Sequence, residues 1–365
     1  MPQYFDIGVN LTDPMFAGVY NRKQYHAADL AYVFERAQMF NISRMLVTGS
    51  SLKESAVAME ITKQHPAWLF STVGVHPCSV TEFVETPSGG SAVTHMEELK
   101  QLALEGKRSG HVKAFGEIGL DYDRFHYAPK ELQIEYFRKQ LDVACDVGLP
   151  LFLHMRAACD DFIDIIEPYY TSGKLTHPGV VHSFTGTLEE LRELLRVGFY
   201  IGINGCSLKT QENLDVVAQI PLDRLMLETD APWCEVRPSH AGYRLITKYP
   251  NKAYPEIPQE SNDEPTEEIA QLLLECKMKS TKKPSGPRMD EFLPLPSLKR
   301  EQVTKHMETL TETISLGEKA PPLVRSRNEP CLIGFVAEIV ASVQGKEVDE
   351  VISRAWDNSC KVFGV

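Results

Sequence analysis

Apolar residues in this chain arrive in short runs separated by stretches of helical periodicity. Runs rich in β-branched and apolar residues cover 4–9, 45–48, 69–75, 112–118, 149–154, 179–184, 199–203 and 224–229. They are nearly continuous rather than alternating, the pattern of strands buried on both faces. The clearest helix between them spans 187–198. Thr187 and Glu190 have capping-box spacing, Leu188, Leu191, Leu194 and Leu195 share one stripe, and Gly198 stands where a C-terminal cap belongs. Pro129 suits the first turn of a helix carrying Leu132, Tyr136, Phe137, Leu141 and Ala144. A final helix pair is expected at 332–343 and 348–356. Eight strands alternating with helices predict an α/β fold whose parallel sheet closes into a (β/α)8 TIM barrel. The absence of G-x-G-x-x-G after the first strand disfavours a doubly wound open sheet.

Residues 251–324 break this rhythm. They are rich in Pro, Lys, Glu, Ser and Thr, with 10 Lys plus Arg against 13 Asp plus Glu. We read them as an insertion after the eighth strand of a single domain spanning 1–365, partly disordered. Weak helices are expected at 265–276 and at 298–314. The second of these places Val303, Met307, Leu310 and Ile314 on one face.

Composition narrows the function. A chain of 365 residues with 43% hydrophobic content buries a large core. A net charge of −12 argues against a broad basic surface for nucleic acid, so any such contact needs local positive charge, which a bound metal supplies. The eight cysteines include no C-x-x-C pair and read as reduced, buried thiols. The opening MPQYFDIGVNL reads as a first strand rather than a signal peptide, and no run of about 18 apolar residues marks a membrane span. The expected address is cytoplasm or nucleus, neither secreted nor membrane-bound.

In a parallel barrel the carboxyl ends of the strands converge on one mouth. The predicted strands end in GVHP (74–77), GEIGLD (116–121), HMR (154–156), HSF (182–184) and ETDAP (228–232), and the seventh leads into Asn204. Glu117, His154, His182 and Asp230 therefore come from four strands to one opening. Two imidazoles and two carboxylates form a nitrogen and oxygen set for a divalent cation, and Asp6 on the first strand is a further candidate. Such a cation acidifies water and polarises a phosphoryl or carbonyl oxygen. An aspartate on the last strand suits a ligand that also orients the attacking water. Taken singly, a histidine at a strand end is more often a hydrogen-bonded rim residue, and a lone Glu or Asp an ion-pair partner. The coincidence of four favours the metal site. His26, His65, His95, His111, His126, His177, His240 and His306 read as solvated.

Arg156, two residues past His154, is placed to clamp a phosphate bidentately, or else to pair with a rim carboxylate. Lys209 and Arg124 are weaker cations on loops. Asn204 hydrogen-bonds a phosphate or closes a turn in GINGC. Tyr122 and Trp233 stack on a base or, more commonly for such residues, pack.

These residues carry a resemblance. FDIGVNLTD, GVHP, GEIGLDYDR, LFLHMR, VVHSFTGT, YIGINGCSLK, LETDAPW and RNEP (327–330), in this order, resemble the TatD family of metal-dependent deoxyribonucleases, over about 290 residues. HAGYR (240–244) makes the likeness greatest to its eukaryotic Tatdn1-type branch. The resemblance implies an amidohydrolase-like TIM barrel, metal ligation by Glu117, His154, His182 and Asp230 with Glu117 bridging, and His76 in the substrate cleft. Many family members begin with His-x-His where this chain has Gly8-Val9-Asn10. An asparagine is a poorer ligand than imidazole, so we expect one firmly held cation and a second recruited with the phosphate, and count Asn10 with the substrate-binding residues. Mg2+ is the expected ion, with Mn2+ or Zn2+ as alternatives. Arg327, Asn328 and Glu329 read as structural.

The expected activity is metal-dependent hydrolysis of DNA, cut from the 3′ end, with single-stranded DNA or 3′ ends as partner and no obligate protein partner. Asp230 and Glu117 are the catalytic candidates. The same chemistry serves a deacylase or amidohydrolase acting on an ester or amide such as an aminoacyl-tRNA. A third possibility, a metal-free binding scaffold, is disfavoured by the four retained ligands.

Overall fold

The computed structural model describes residues 3–85, 91–256, 288–313 and 322–365. Eight parallel strands run in order around one sheet: β1 (Tyr4–Val9), β2 (Ile42–Val47), β3 (Leu69–Val73), β4 (Val112–Asp121), β5 (Leu151–Arg156), β6 (Val180–Val181), β7 (Tyr200–Ile203) and β8 (Leu225–Leu227). A bridge between Val9 and Ala231 joins the last strand's exit to the first. The expected barrel is thus the observed one. Helices α1 (Leu30–Met39), α2 (Leu52–Gln64), α3 (Ala92–Ser109), α4 (Lys130–Val147), α5 (Cys159–Thr171), α6 (Leu188–Val197) and α7 (Gln211–Val217) follow their strands. Among the described residues, no helix is long and apolar enough to cross a membrane.

Both faces of the sheet are buried, which explains the unbroken apolar runs. The larger core lies between sheet and helices. The smaller lies inside the barrel, where Phe5, Ile7, Leu46, Ala114, Phe152, Val180, Tyr200 and Met226 meet Val362 and Phe363. Most of these stand early in their strands, so the chain's C-terminal end plugs the amino-terminal mouth. The opposite mouth is left for chemistry.

Strand boundaries depart from expectation in two places that matter. β4 continues past Ile118, pairing Gly119 with His154 and Asp121 with Arg156. Its register shifts between Phe115 and Ile118, and Gly116 and Gly119 take φ of +150° and +148°, values that suit glycine alone. β6, expected to reach 184, ends at Val181 because Ser183 turns left-handed at φ +50°. His182 N–H still donates to Leu153 O at 3.0 Å.

The capping box of α6 forms as expected, with Thr187 and Glu190 each receiving the other's backbone N–H and Gly198 closing the helix left-handed. Pro129 stands one position earlier than expected, as the N-cap of α4. Within residues 251–324, β9 (Arg288–Met289), β10 (Pro296–Leu298) and β11 (Leu323–Val324) form a small sheet beside α8 (Arg300–Thr313). α8 therefore begins two residues later than expected, because Leu298 is in a strand. Leu298, Val303 and Val324 bury Tyr20, which lies on a hairpin near the N-terminus. The helix expected at 265–276 lies outside the described residues. The chain then re-enters the barrel through α9 (Ile333–Gln344) and α10 (Val348–Phe363), the latter seven residues longer than expected. All seven described cysteines are free, but only Cys159 and Cys331 are buried; the others are partly exposed.

Candidate metal centre

At the open mouth, Glu117 Oε1 is the common neighbour of three imidazoles. His182 Nε2 lies 2.7 Å away, His154 Nδ1 3.0 Å and His76 Nε2 3.4 Å. Each ring comes from a different strand end. His76 follows β3 and is oriented by the Cys78 N–H, which donates to its Nδ1 at 3.0 Å. His154 lies on β5, and its Nε2 faces Asp121 Oδ2 at 3.2 Å. His182 follows β6 and stacks on Phe152, with ring centroids 4.4 Å apart. The Glu117 backbone is held by its N–H, which donates to Gly49 O after β2 at 2.9 Å.

Burial alone would raise the Glu117 carboxyl, but His182, His76 and His154 hold it well below the usual carboxylate range. His182 and His154 are raised in turn, against their own burial, by the carboxylates beside them. Burial drives His76 the other way, down to about 3, despite Glu117. A buried carboxylate here thus favours positive charge on the imidazoles around it, and a field of that sign also favours a divalent cation. Glu117, His154 and His182 have ligand atoms all within 4.8 Å of one another, as do His76, Asp121 and His154. The donor set of imidazoles and carboxylates fits a hard or borderline divalent cation.

Asp230 stands apart from these two groups. It follows β8 in a left-handed turn, φ +56°. Its N–H donates to Gly8 O at 2.8 Å, Asn10 Nδ2 donates to its Oδ1 at 2.8 Å, and Cys234 Sγ lies 3.2 Å from its Oδ2. Burial, with Glu228 and Glu117 nearby, pushes it up to about 7, His182 opposing. It therefore shares the field of the cluster from the opposite wall.

Other expected site residues fall elsewhere. Asp6 lies between Phe5 and Ile7, both of which point into the barrel, so it projects from the other face of β1. Its carboxylate accepts from the Thr229 N–H and hydroxyl and the Gly8 N–H, burial pushes it up to about 8, and it joins neither ligand group. Asn10, partly buried, holds Asp230 through its Nδ2. Asn204 is fully buried, donating to Ser183 Oγ at 2.9 Å and Glu228 Oε1 at 3.2 Å while its own Oδ1 accepts from the Cys206 N–H. Arg156 sits on the rim and pairs with Asp123 at 2.7 Å, the second of its two sequence readings. Arg124 is exposed with Nε 3.6 Å from Asp121, and Lys209 is exposed. Tyr122 packs under Lys130 and donates to Asp161, whereas Trp233 is half exposed beside Asp230. Not every remaining histidine is solvated: His26 is buried, with Nε2 3.1 Å from Tyr20 Oη, and His95 meets Glu82 at 2.7 Å.

Asp121 and Glu228 were missed as site residues. Asp121 was visible at the end of GEIGLD, overshadowed by Glu117 in the same run. Glu228 was visible in ETDAP, overshadowed by its neighbour Asp230.

A model of TatD-related DNases matches residues 5–278. The chain is 40% identical over 361 residues to deoxyribonuclease Tat-D of Schizosaccharomyces pombe, covering 99% of this chain and 96% of that one. It is also 40% identical over 232 residues to the 3′-5′ ssDNA/RNA exonuclease TatD of Erwinia tasmaniensis, covering 63% and 80%. Its fold matches the crystal structure of an uncharacterized amidohydrolase from Saccharomyces cerevisiae with a TM-score of 0.74 at 34% identity, covering 99% of this chain and all of the other. With eight strands, one open mouth and a buried carboxylate ringed by imidazoles, the chain belongs to the TatD-related DNase family.

Proposed function

We propose that this chain is a metal-dependent deoxyribonuclease that hydrolyses phosphodiester bonds, trimming single-stranded DNA from its 3′ end. The observation that carries the reading is the convergence of His76, His154 and His182 on Glu117 Oε1 at the carboxyl mouth of the barrel. Glu117, His154 and His182 would hold the cation, Mg2+ by preference and Mn2+ or Zn2+ as alternatives. When bound, the cation supplies Lewis acidity to the phosphoryl oxygens and acidifies water. Asp230, fixed by Asn10 and Cys234, is the acceptor for the proton of the attacking water. His76, partly buried beside Glu117, lines the cleft. Arg156 and Arg124 bring positive charge to the rim of an otherwise acidic protein, and the half-exposed Trp233 offers a face for a terminal base. The named activities of the relatives from Schizosaccharomyces pombe and Erwinia tasmaniensis support the choice of a DNA phosphodiester, and cytoplasm or nucleus is the matching location.

The test uses full-length protein and single-stranded oligonucleotides labelled at either end. Mononucleotides should leave the 3′ end only with an added divalent cation, and EDTA should stop the release. Glu117→Ala and His182→Ala should each lower the rate more than about 100-fold. Unchanged rates in these variants would overturn the assignment. Turnover of carboxyl esters without turnover of phosphodiesters would transfer it to acyl chemistry.

A further inference from the structure

Glu228 follows β8 with no exposed surface, and the cleavage chemistry described above makes no use of it. Its two carboxylate oxygens have different surroundings. Oε1 accepts from the Ser183 N–H and from Asn204 Nδ2. Asn204 cannot turn, because its Oδ1 accepts from the Cys206 N–H at 2.9 Å and its Nδ2 also donates to Ser183 Oγ. Oε2 faces His182 Nδ1 at 3.4 Å. Both of these atoms are buried, and neither has another hydrogen-bond partner. A buried polar atom is rarely left without one, and hydrogen bonds in ligand-free sites are commonly long. The other ring nitrogen, Nε2, is the one 2.7 Å from Glu117 Oε1. The fold has also cleared a place for this carboxylate. A methyl group on Gly8 would stand 2.5 Å from Oε2, and one on Gly202 would stand 3.3 Å from Oε1.

We infer that Glu228 is a positioning residue that keeps the proton of neutral His182 on Nδ1, so that Nε2 presents its lone pair to the cation. The inference rests on the metal-dependent reading above. A carboxylate behind a ligating histidine fixes the tautomer and strengthens the ligand. Here the geometry makes the isosteric substitution informative. In Glu228→Gln the carbonyl oxygen must stay where Oε1 is, because the Ser183 and Asn204 donors require an acceptor there. The amide NH2 then replaces Oε2 and points at Nδ1. Nδ1 must accept, the ring proton moves to Nε2, and the coordinating lone pair is lost although size and shape are unchanged.

The experiment is calorimetric titration of full-length protein with Mn2+ for the wild type, Glu228→Gln and Glu228→Asp. It is joined by a long-range 15N–1H spectrum of the wild type saturated with Mg2+. Expected are a 10- to 100-fold weaker affinity in Glu228→Gln, a smaller loss in Glu228→Asp, and a protonated Nδ1 on His182 in the spectrum. A residue that merely fills space would be replaced better by Gln than by the shorter Asp, so the reverse order overturns the inference. Wild-type affinity in Glu228→Gln, or a His182 proton on Nε2, also overturns it and leaves the metal reading standing. A wild type that binds neither ion overturns the metal reading itself, and this inference with it. The spectrum needs no variant, so the test survives a substitution that fails to fold.

Discussion

A methyl group added at position 8 would meet a carboxylate that cannot step aside, since its other oxygen is tied to Ser183 and Asn204. Gly8→Ala should therefore weaken Mn2+ binding about tenfold while the far-ultraviolet circular dichroism stays that of the parent; titration calorimetry checks it. Read from sequence alone, Gly8 and Asn10 were a deficit, two positions lacking imidazole. In the folded chain one makes room for Glu228 and the other holds Asp230. A sequence displays which donor is missing from a strand, but not the group 220 residues away that uses the space. Glu117, His154 and His182 were legible because each ends an apolar run, and strand ends share a mouth whatever the loops do. Asp121 was passed over although it closes the same GEIGLD run as Glu117, because only the folded chain brings its carboxylate to His154 Nε2, at 3.2 Å.

Elements were legible where burial or local chemistry writes itself into neighbouring residues. The double-sided core made the eight strands readable, and the T-x-x-E spacing at Thr187 made the start of α6 readable. Thr187 Oγ1 accepts the Glu190 N–H at 3.2 Å, and Glu190 returns the bond to the Thr187 N–H at 2.7 Å. Thr187→Ala removes half of this pair and should cost about 1 kcal/mol, seen as a lower urea midpoint with an unchanged m-value. The short extent of β6 was not legible, because a left-handed Ser183 has no local signature beyond its own residue type. Nor were β9, β10 and β11. Strands of two or three residues owe their existence to partners elsewhere, such as the pairing of Ser297 with Leu323.

Across the whole molecule, the segment after β11 is tied to the first helix by buried charge. Arg327 is bidentate to Asp29, at 2.7 and 2.6 Å, and also meets Glu329 at 2.8 Å; Arg36 holds Glu329 from the other side at 2.7 Å. The structural reading of RNEP was right in kind, but its partners lie about 300 residues upstream and leave no trace in the motif. Glu329→Gln removes the buried charge that Arg36 and Arg327 share, leaving Asp29 alone to balance both guanidinium groups, and should cost about 3 kcal/mol, measured by chemical unfolding at neutral pH. Burial would raise the Glu329 carboxyl, but Arg36 and Arg327 hold it below its ordinary value. Its contribution is therefore complete above the unfolded value of about 4.3 and lost as pH falls through the lower folded value. Unfolding free energy should drop on acidification through that window, less steeply in Glu329→Gln. Between the two charged residues sits Asn328, whose Nδ2 donates to Thr229 O at 2.9 Å and Trp233 O at 2.8 Å. Those carbonyls flank Asp230. Chains are synthesised from the amino end, so a nascent polypeptide halted before residue 327 already possesses every candidate ligand and yet lacks the clasp on the turn that bears Asp230. Completion of the catalytic mouth thus waits for the ribosome to pass residue 328, and fragments released early would be born without a finished cutting edge.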